Sequence, residues 1–364
     1  MDLVYTLNVI IIVLYSFFIK DRKQYVIVAS LHLFLFLALR SNTLGPDANY
    51  YNTGYYYIKS LNFSTLISKL HFFKTASLIY PFNYESGYVV LNWIVSFFGF
   101  SYHFFLIVCS AINMYAFGKL IYKYSKIPWL SFFILCSFGT FTYFIEILRH
   151  SLGLSFFILA IINLLDSNKR KAILFIVLAF LFHRSSIVLL PLLFIVDRKT
   201  LKKNNAIIIL LLTIPFLFLS KYFYGFAYHF ISLFGKSRYV GGSIHFNKLF
   251  FLLYLIYIII IFFVNFEKQK DDKVFNLTFW ALIFSIFFEI IGLYNEVMAR
   301  SVQMYTSLLI LLIPNVINMY EKQKSFLIIK MAIVISLILY MNYDLKGSKV
   351  IPYSIQKDDF LIDR

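Results

Sequence analysis

Long apolar runs separated by short basic or aromatic connections recur along the whole 364-residue chain. A helix needs about 20 apolar residues to cross a hydrocarbon core of about 30 Å. Runs of that order lie near residues 3–19, 25–39, 86–100, 103–122, 129–147, 150–165, 172–196, 206–220, 249–265, 274–294, 300–319 and 326–343. The pattern predicts an all-α fold, a polytopic transmembrane helix bundle of about 11 to 12 spans with at least one broken or re-entrant helix. Residues 1–343 are expected to form a single integral membrane domain with outer loops near 40–85 and 221–248, followed by a short polar tail over 344–364. The first run lacks a basic n-region and a small-residue cleavage site, so it is expected to persist as an anchor.

Basic residues gather at Lys20-Asp21-Arg22-Lys23, Lys119 to Lys126, Lys169-Arg170-Lys171, Arg198 to Lys203, Lys268 to Lys273 and Lys322 to Lys324. The positive-inside rule places these connections in the cytoplasm. The outer connections are then 40–85, 146–150, 183–186, 221–248 and 294–300. Two stretches resist this threading. Two full spans between Glu85 and Lys119 would return Lys119 to the wrong side, so one of 86–100 and 103–122 is expected to be re-entrant or interfacial, unless residues 61–80 dip into the membrane. Residues 172–196 as one span would leave Arg198 to Lys203 outside. Two half-helices meeting at His183-Arg184-Ser185-Ser186 remove that conflict, and a broken helix is tolerated where it lines an enclosed or watery cavity. The tail keeps Lys346 and Lys349 on a side that suits them poorly.

Composition sharpens the class: 61% hydrophobic, 21% aromatic and 14% charged residues exclude a soluble domain with a wet surface. The net charge of +17 comes largely from lysines in short connections, so nucleic acid is not an expected partner. Cys109 and Cys136 lie in apolar runs and read as small buried hydrophobes.

Against this background, ionisable groups at span ends are expensive and are usually retained for a task. Arginine is sorted to the outer connections as Arg40, Arg149, Arg184, Arg238 and Arg300, whereas lysine dominates the inner ones. Its planar guanidinium suits bidentate binding of phosphate, so an outward cavity for a phosphorylated amphiphile is expected. Asp47 follows a Gly45-Pro46 turn that folds it toward Arg40, which also fits a plain structural pair. Glu85 opens an apolar run and is either a helix cap or a general base. Glu146 and Arg149 stand at i, i+3 and Glu296 and Arg300 at i, i+4, spacings that permit local ion pairs. His183 interrupts an apolar run beside Arg184; a desolvated imidazole there is expected to stay neutral and to accept a proton. The chain has no Gly-rich phosphate loop, Asp-x-Asp pair or zinc motif, so chemistry without metal, nucleotide or other cofactor is expected, with arginine neutralising a leaving phosphate.

The ordered set Arg40...Gly45-x-Asp47...Tyr, Glu85-x-Gly87-Tyr88, Arg149 in an apolar run, Phe182-His183-x-Ser185-Ser186 and Arg300...Tyr305 resembles the EpsG branch of Wzy-like bacterial polysaccharide polymerases. The resemblance runs from about residue 35 to 310, and His150 departs from the Gln that often follows the middle Arg. It implies a membrane glycosyltransferase of the bacterial inner membrane, with its active site facing the periplasm or cell exterior. Such an enzyme joins polyprenyl-pyrophosphate-linked oligosaccharide units, which act as donor and acceptor, into O-antigen, capsule or exopolysaccharide. Carried over, Arg149 and Arg300 with Arg40 and Arg184 would bind the departing pyrophosphate. His183, Asp47 or Glu85 would deprotonate the acceptor hydroxyl, with His150 and Tyr305 in support. Tyr50 to Tyr57 and Phe223 to Tyr239 offer rings for sugar stacking or interfacial anchoring. The bilayer, a chain-length regulator and a flippase are the further partners it suggests. A lipid-linked oligosaccharide flippase or exporter and a membrane-bound acyltransferase stay open as alternatives; the first would show internal repeats with matched broken helices.

Overall fold

The computed structural model describes residues 3–232, 248–293, 296–320, 325–348 and 350–357, without the side chains of 220, 221, 223–232, 248, 296–300, 325–330 and 347. Helices come in the order α1 (Leu3–Phe18), α2 (Arg22–Ala38), α3 (Ala48–Lys59), α4 (Phe63–Lys69), α5 (Ser86–Phe97), α6 (Tyr102–Tyr124), α7 (Pro128–Ser137), α8 (Thr140–Glu146), α9 (Leu148–Leu165) and α10 (Lys169–Phe182). They continue as α11 (Leu190–Ile195), α12 (Lys203–Ser232), α13 (Lys248–Phe263), α14 (Lys273–Gly292), α15 (Glu296–Thr306), α16 (Leu309–Met319) and α17 (Ser325–Gly347). Among the described residues, β structure is limited to isolated bridges, Arg40 with Ile355 and Thr75 with Glu85. The fold is all-α, as the apolar periodicity predicts.

Among the described residues, three helices, α6, α9 and α14, are long and apolar enough to cross a membrane, and α7 with α8 makes a fourth if the bent pair is one span. Polar residues at the connections start several of the helices. Ser101 caps α6, Asn168 caps α10 and Asp272 caps α14, each side chain accepting an otherwise unpaired backbone N–H. The run over 129–147 is not one straight helix. Gly139, at φ 75°, breaks it into α7 and α8, bent by 52°, and a glycine inside an apolar run was the available signal. Of the two segments that could not both cross, α5 is the short one: its 12 residues cover only about 18 Å. The break expected near His183 is present. α10 stops at Phe182, His183 turns extended (φ −155°, ψ 108°), and a 3-10 helix over Arg184–Leu189 follows.

The chain forms two compact units, Met1–Ile187 with Val334–Arg364, and Val188–Ile333. In the first, α9 packs on α10 and α6, α2 on α6, and α3 on α5. Its polar tail is fastened down: Tyr353 donates to the Phe36 carbonyl at 2.7 Å, and the Gln356 N–H donates to that of Leu39 at 3.0 Å. In the second, α14 is central, packing against α13, α15 and α16.

At the basic end of α6, Lys123 pairs with Asp166, which also accepts from Tyr124 at 2.8 Å. Burial raises the Asp166 carboxyl, but the hydrogen bonds from Lys123 and Tyr124 and the nearby lysine charges outweigh it and hold the group below its ordinary value. A depressed carboxylate stabilises the fold above its unfolded pKa and loses that contribution as pH falls through the folded value. Both partners are about a third exposed, so Asp166→Asn should cost less than about 1 kcal/mol at neutral pH. Thermal unfolding at neutral pH and at about pH 3 should show the difference closing in acid.

Candidate active site

Glu85 stands at the N-cap position of α5, yet its carboxylate makes no cap hydrogen bond. Instead, Oε2 accepts from Nη1 of Arg149 at 2.5 Å, and Oε1 lies 3.3 Å from Nδ1 of His183. Three connections that the charge pattern assigns to one face thus converge on one carboxylate. Arg149 lies in the first turn of α9, where its Nη1 also donates to the Asn83 carbonyl at 2.8 Å. Its guanidinium carbon stands 5.3 Å from the centre of the Tyr84 ring, a cation–π distance. Burial, then Tyr50 and Tyr51, push the Tyr84 hydroxyl above the ordinary tyrosine range, while Arg149 acts the other way. Tyr84 therefore serves as a neutral ring, held by its hydroxyl on the Tyr50 carbonyl at 2.8 Å.

Two glycines let the end of α10 come this close. A Cβ on Gly153 of α9 would lie 2.7 Å from Cβ of His183, and one on Gly87 of α5 would lie 2.8 Å from the Leu181 carbonyl oxygen. α9 thus closes on His183 and α5 on Leu181, with the His150 ring 5.1 Å from that of His183 at 62° and Tyr143 beyond His150 at 5.6 Å. Side-chain exposure is 4% for Glu85, 10% for His183 and 19% for Arg149, so an approaching group meets the guanidinium first. The carboxylate is hydrogen-bonded to the guanidinium and stands within ion-pair distance of the imidazole. Such a set can bind an anion through Arg149 and move a proton through His183.

The EpsG family model matches residues 23–355. The chain belongs to the EpsG family. It matches no curated protein and no solved structure.

Other candidate residues of this EpsG family member are placed differently from what spacing suggests. Among the described residues, the carboxylate that Arg149 meets is that of Glu85 rather than Glu146. The backbone breaks at Ile147 (φ −130°, ψ 74°), so Glu146 and Arg149 belong to different helices and the i, i+3 geometry is lost. Capping does not account for Glu85, since its side chain turns to Arg149 and His183 instead. Arg40 forms no ion pair with Asp47 among the described residues. Its buried guanidinium points inward, donating to the Leu37 carbonyl at 2.6 Å and Ser110 Oγ at 3.2 Å, where a cation satisfies the carbonyl end of α2. Asp47 is exposed at the head of α3, after Gly45 (φ 112°), whose added Cβ would lie 3.3 Å from the Ile145 carbonyl oxygen. Arg184 donates to the Phe73 carbonyl at 2.9 Å, tying the 3-10 turn to the loop before α5.

In the second unit, Tyr305 donates to the Val188 carbonyl, and its ring packs on Phe284 and Phe288. The side chains of Glu296 and Arg300, together with Arg238 and nearly all of the 223–239 aromatic segment, lie outside the described residues. Tyr51 and Tyr55 are not free sugar platforms. They are at most 1% exposed and packed with Tyr84, Tyr88, Tyr102 and Phe105, because ring burial there outweighs interfacial anchoring. Sequence reasoning missed Gly153 and the roles of Tyr84 and Gly87. A glycine in an apolar helix was the only local sign of the first.

Proposed function

We propose that this protein is a Wzy-like polysaccharide polymerase, a metal-independent membrane glycosyltransferase joining polyprenyl-pyrophosphate-linked oligosaccharide units on the outer face of the bacterial inner membrane. The observation that carries the reading is the buried Glu85 carboxylate shared by Arg149 and His183. In the reaction, the bond from the anomeric carbon to the pyrophosphate oxygen breaks, and the acceptor hydroxyl oxygen bonds to that carbon. The bonding electrons leave on pyrophosphate, whose charge Arg149 neutralises with help from Arg184. His183 takes the hydroxyl proton, Glu85 orients both partners, and His150 backs the imidazole. Asp47, exposed at the head of α3, is the second carboxylate within the outer segment able to hold the acceptor. Arg40 acts at a distance, through its charge. Six shorter apolar helices are further candidate crossings beside α6, α9, α14 and the bent α7–α8 pair, and a reading of about 11 to 12 crossings counts α2 and α17 as well. O-antigen, capsule and exopolysaccharide units are the products this chemistry serves.

Reconstitution with a purified lipid-linked repeat unit and no nucleotide sugar should give a glycan ladder. Arg149→Ala and His183→Ala should each reduce it by roughly 10²-fold or more. Movement of the unit between leaflets without lengthening would show a transporter instead. For topology, Thr53→Cys should react with an impermeant thiol reagent from outside and Asn168→Cys should not; the reverse pattern would invert the assignment.

A further inference from the structure

A groove of about 560 Å³ runs between α2 and α6, well away from Glu85 and His183 in sequence and in lining. Its walls are Val26, Ile27, Leu31 and Phe34 on α2 and Met114 and Tyr115 on α6, with Lys23 and Lys119 also lining it. Small residues shape the floor. Ala111 and Gly118 lie in it, and a Cβ on Gly118 would sit 2.5 Å from Oγ of Ser30. From Lys23 to Phe34 along α2 is about 16 Å at 1.5 Å per residue, half of a hydrocarbon core of about 30 Å. The groove therefore has the depth of one leaflet, which suits an acyl chain and falls short of a spanning helix or a long polyprenyl chain.

Its basic residues differ in how they are engaged. Arg22 bends back to the carbonyls of Ile121 and Tyr122, and Lys123 is paired with Asp166. Lys23 and Lys119 have no ion pair among the described residues, although Lys119 feels Asp166 at longer range. Lys119 contacts only the Tyr115 hydroxyl, at 3.2 Å, and that ring's face, 5.3 Å from its centre. Two cations lacking counter-ions beside an apolar groove of leaflet depth match a lipid phosphate above its acyl chain. Tyr115 and Tyr122, both more than a third exposed, supply the aromatic edge typical of that level of a bilayer.

We propose that this groove is a resident site for an anionic phospholipid, with an acyl chain between α2 and α6 and the phosphate against Lys23 and Lys119. The site uses neither Arg149 nor His183, so it stands apart from the polymerase reading.

The full chain, purified in mild detergent and exchanged into nanodiscs containing phosphatidylglycerol or phosphatidylcholine, is tested by native mass spectrometry for retained lipid. Phosphatidylglycerol should be retained over phosphatidylcholine. Lys23→Gln and Lys119→Gln should each lower its retention about fivefold, the weight of one cation near an anionic headgroup, and Lys→Arg at either position should preserve it. Ala111→Phe, at an exposed position, fills the groove with both charges intact and should also displace the lipid. Equal retention of the two lipids, or unchanged retention in the double Gln variant, would overturn the site. So would cross-linking of Leu31→Cys between two copies, which would make this face a protein interface.

Discussion

Glu85→Ala should abolish glycan extension and also destabilise the first unit by about 3–5 kcal/mol, because it leaves the guanidinium of Arg149 buried without its counter-charge. Glu85 is 4% exposed at its side chain and Arg149 19%, so water cannot replace the lost carboxylate fully. The Asn83 carbonyl at 2.8 Å and the Tyr84 ring remain, but neither carries a full negative charge. Removing both charges is expected to behave differently. Glu85→Leu with Arg149→Met replaces the pair by apolar groups of similar size and should recover most of the stability, since such replacements are often close to neutral. Activity should not return. Thermal unfolding in detergent, beside ladder formation by each variant, separates the two effects. If Glu85→Ala melts with the wild type and still extends glycan, the carboxylate neither holds the site together nor takes part in it.

Gly153→Ala should cut activity by about 10²-fold while the chain still folds, since a displacement of about 1 Å at a reacting group can have that effect. The new Cβ would lie 2.7 Å from Cβ of His183 and 3.2 Å from the Ala179 carbonyl oxygen, too close for either to stay in place. Overpacking of this kind costs about 1–3 kcal/mol. The imidazole would move away from Glu85, whereas Arg149, one turn earlier on α9 and not among the groups the new methyl meets, would keep its pair with Glu85. Lipid-linked substrate should therefore still bind, and the loss should fall on turnover rather than on apparent affinity. Gly87→Ala, on α5, pushes on the Leu181 backbone and should give a loss of the same kind. A Gly153→Ala protein with wild-type turnover would mean that the position of His183 does not govern the reaction.

Much of this architecture can be read from local sequence. The apolar runs announce membrane helices, and α6, α9 and α14 appear where the runs over 103–122, 150–165 and 274–294 predict them. The interruption at His183-Arg184-Ser185-Ser186 coincides with a break, where polar side chains end the apolar run and His183 turns extended. The bend at Gly139 is equally local but easily overlooked, since one glycine barely lowers the hydropathy of its run. Pairing is another matter. Helical spacing offers Glu146 to Arg149 and a turn offers Asp47 to Arg40, and among the described residues Arg149 meets Glu85 instead while Arg40 turns to Leu37 and Ser110. The partner of Arg149 lies 64 residues away in the sequence.

By itself, then, the sequence determined the helical membrane class, the ends of the principal apolar helices, the break at His183 and the short list of charges worth watching. Each of these depends on hydropathy and backbone hydrogen bonding within a few turns. The tertiary structure alone decided which charges meet: Glu85 with Arg149 and His183, Arg40 turned inward to Leu37 and Ser110, and Tyr51 and Tyr55 enclosed with other rings. A buried charge takes whichever partner the packing of distant helices brings within about 3 Å, and here that packing depends on the bare backbones of Gly87 and Gly153.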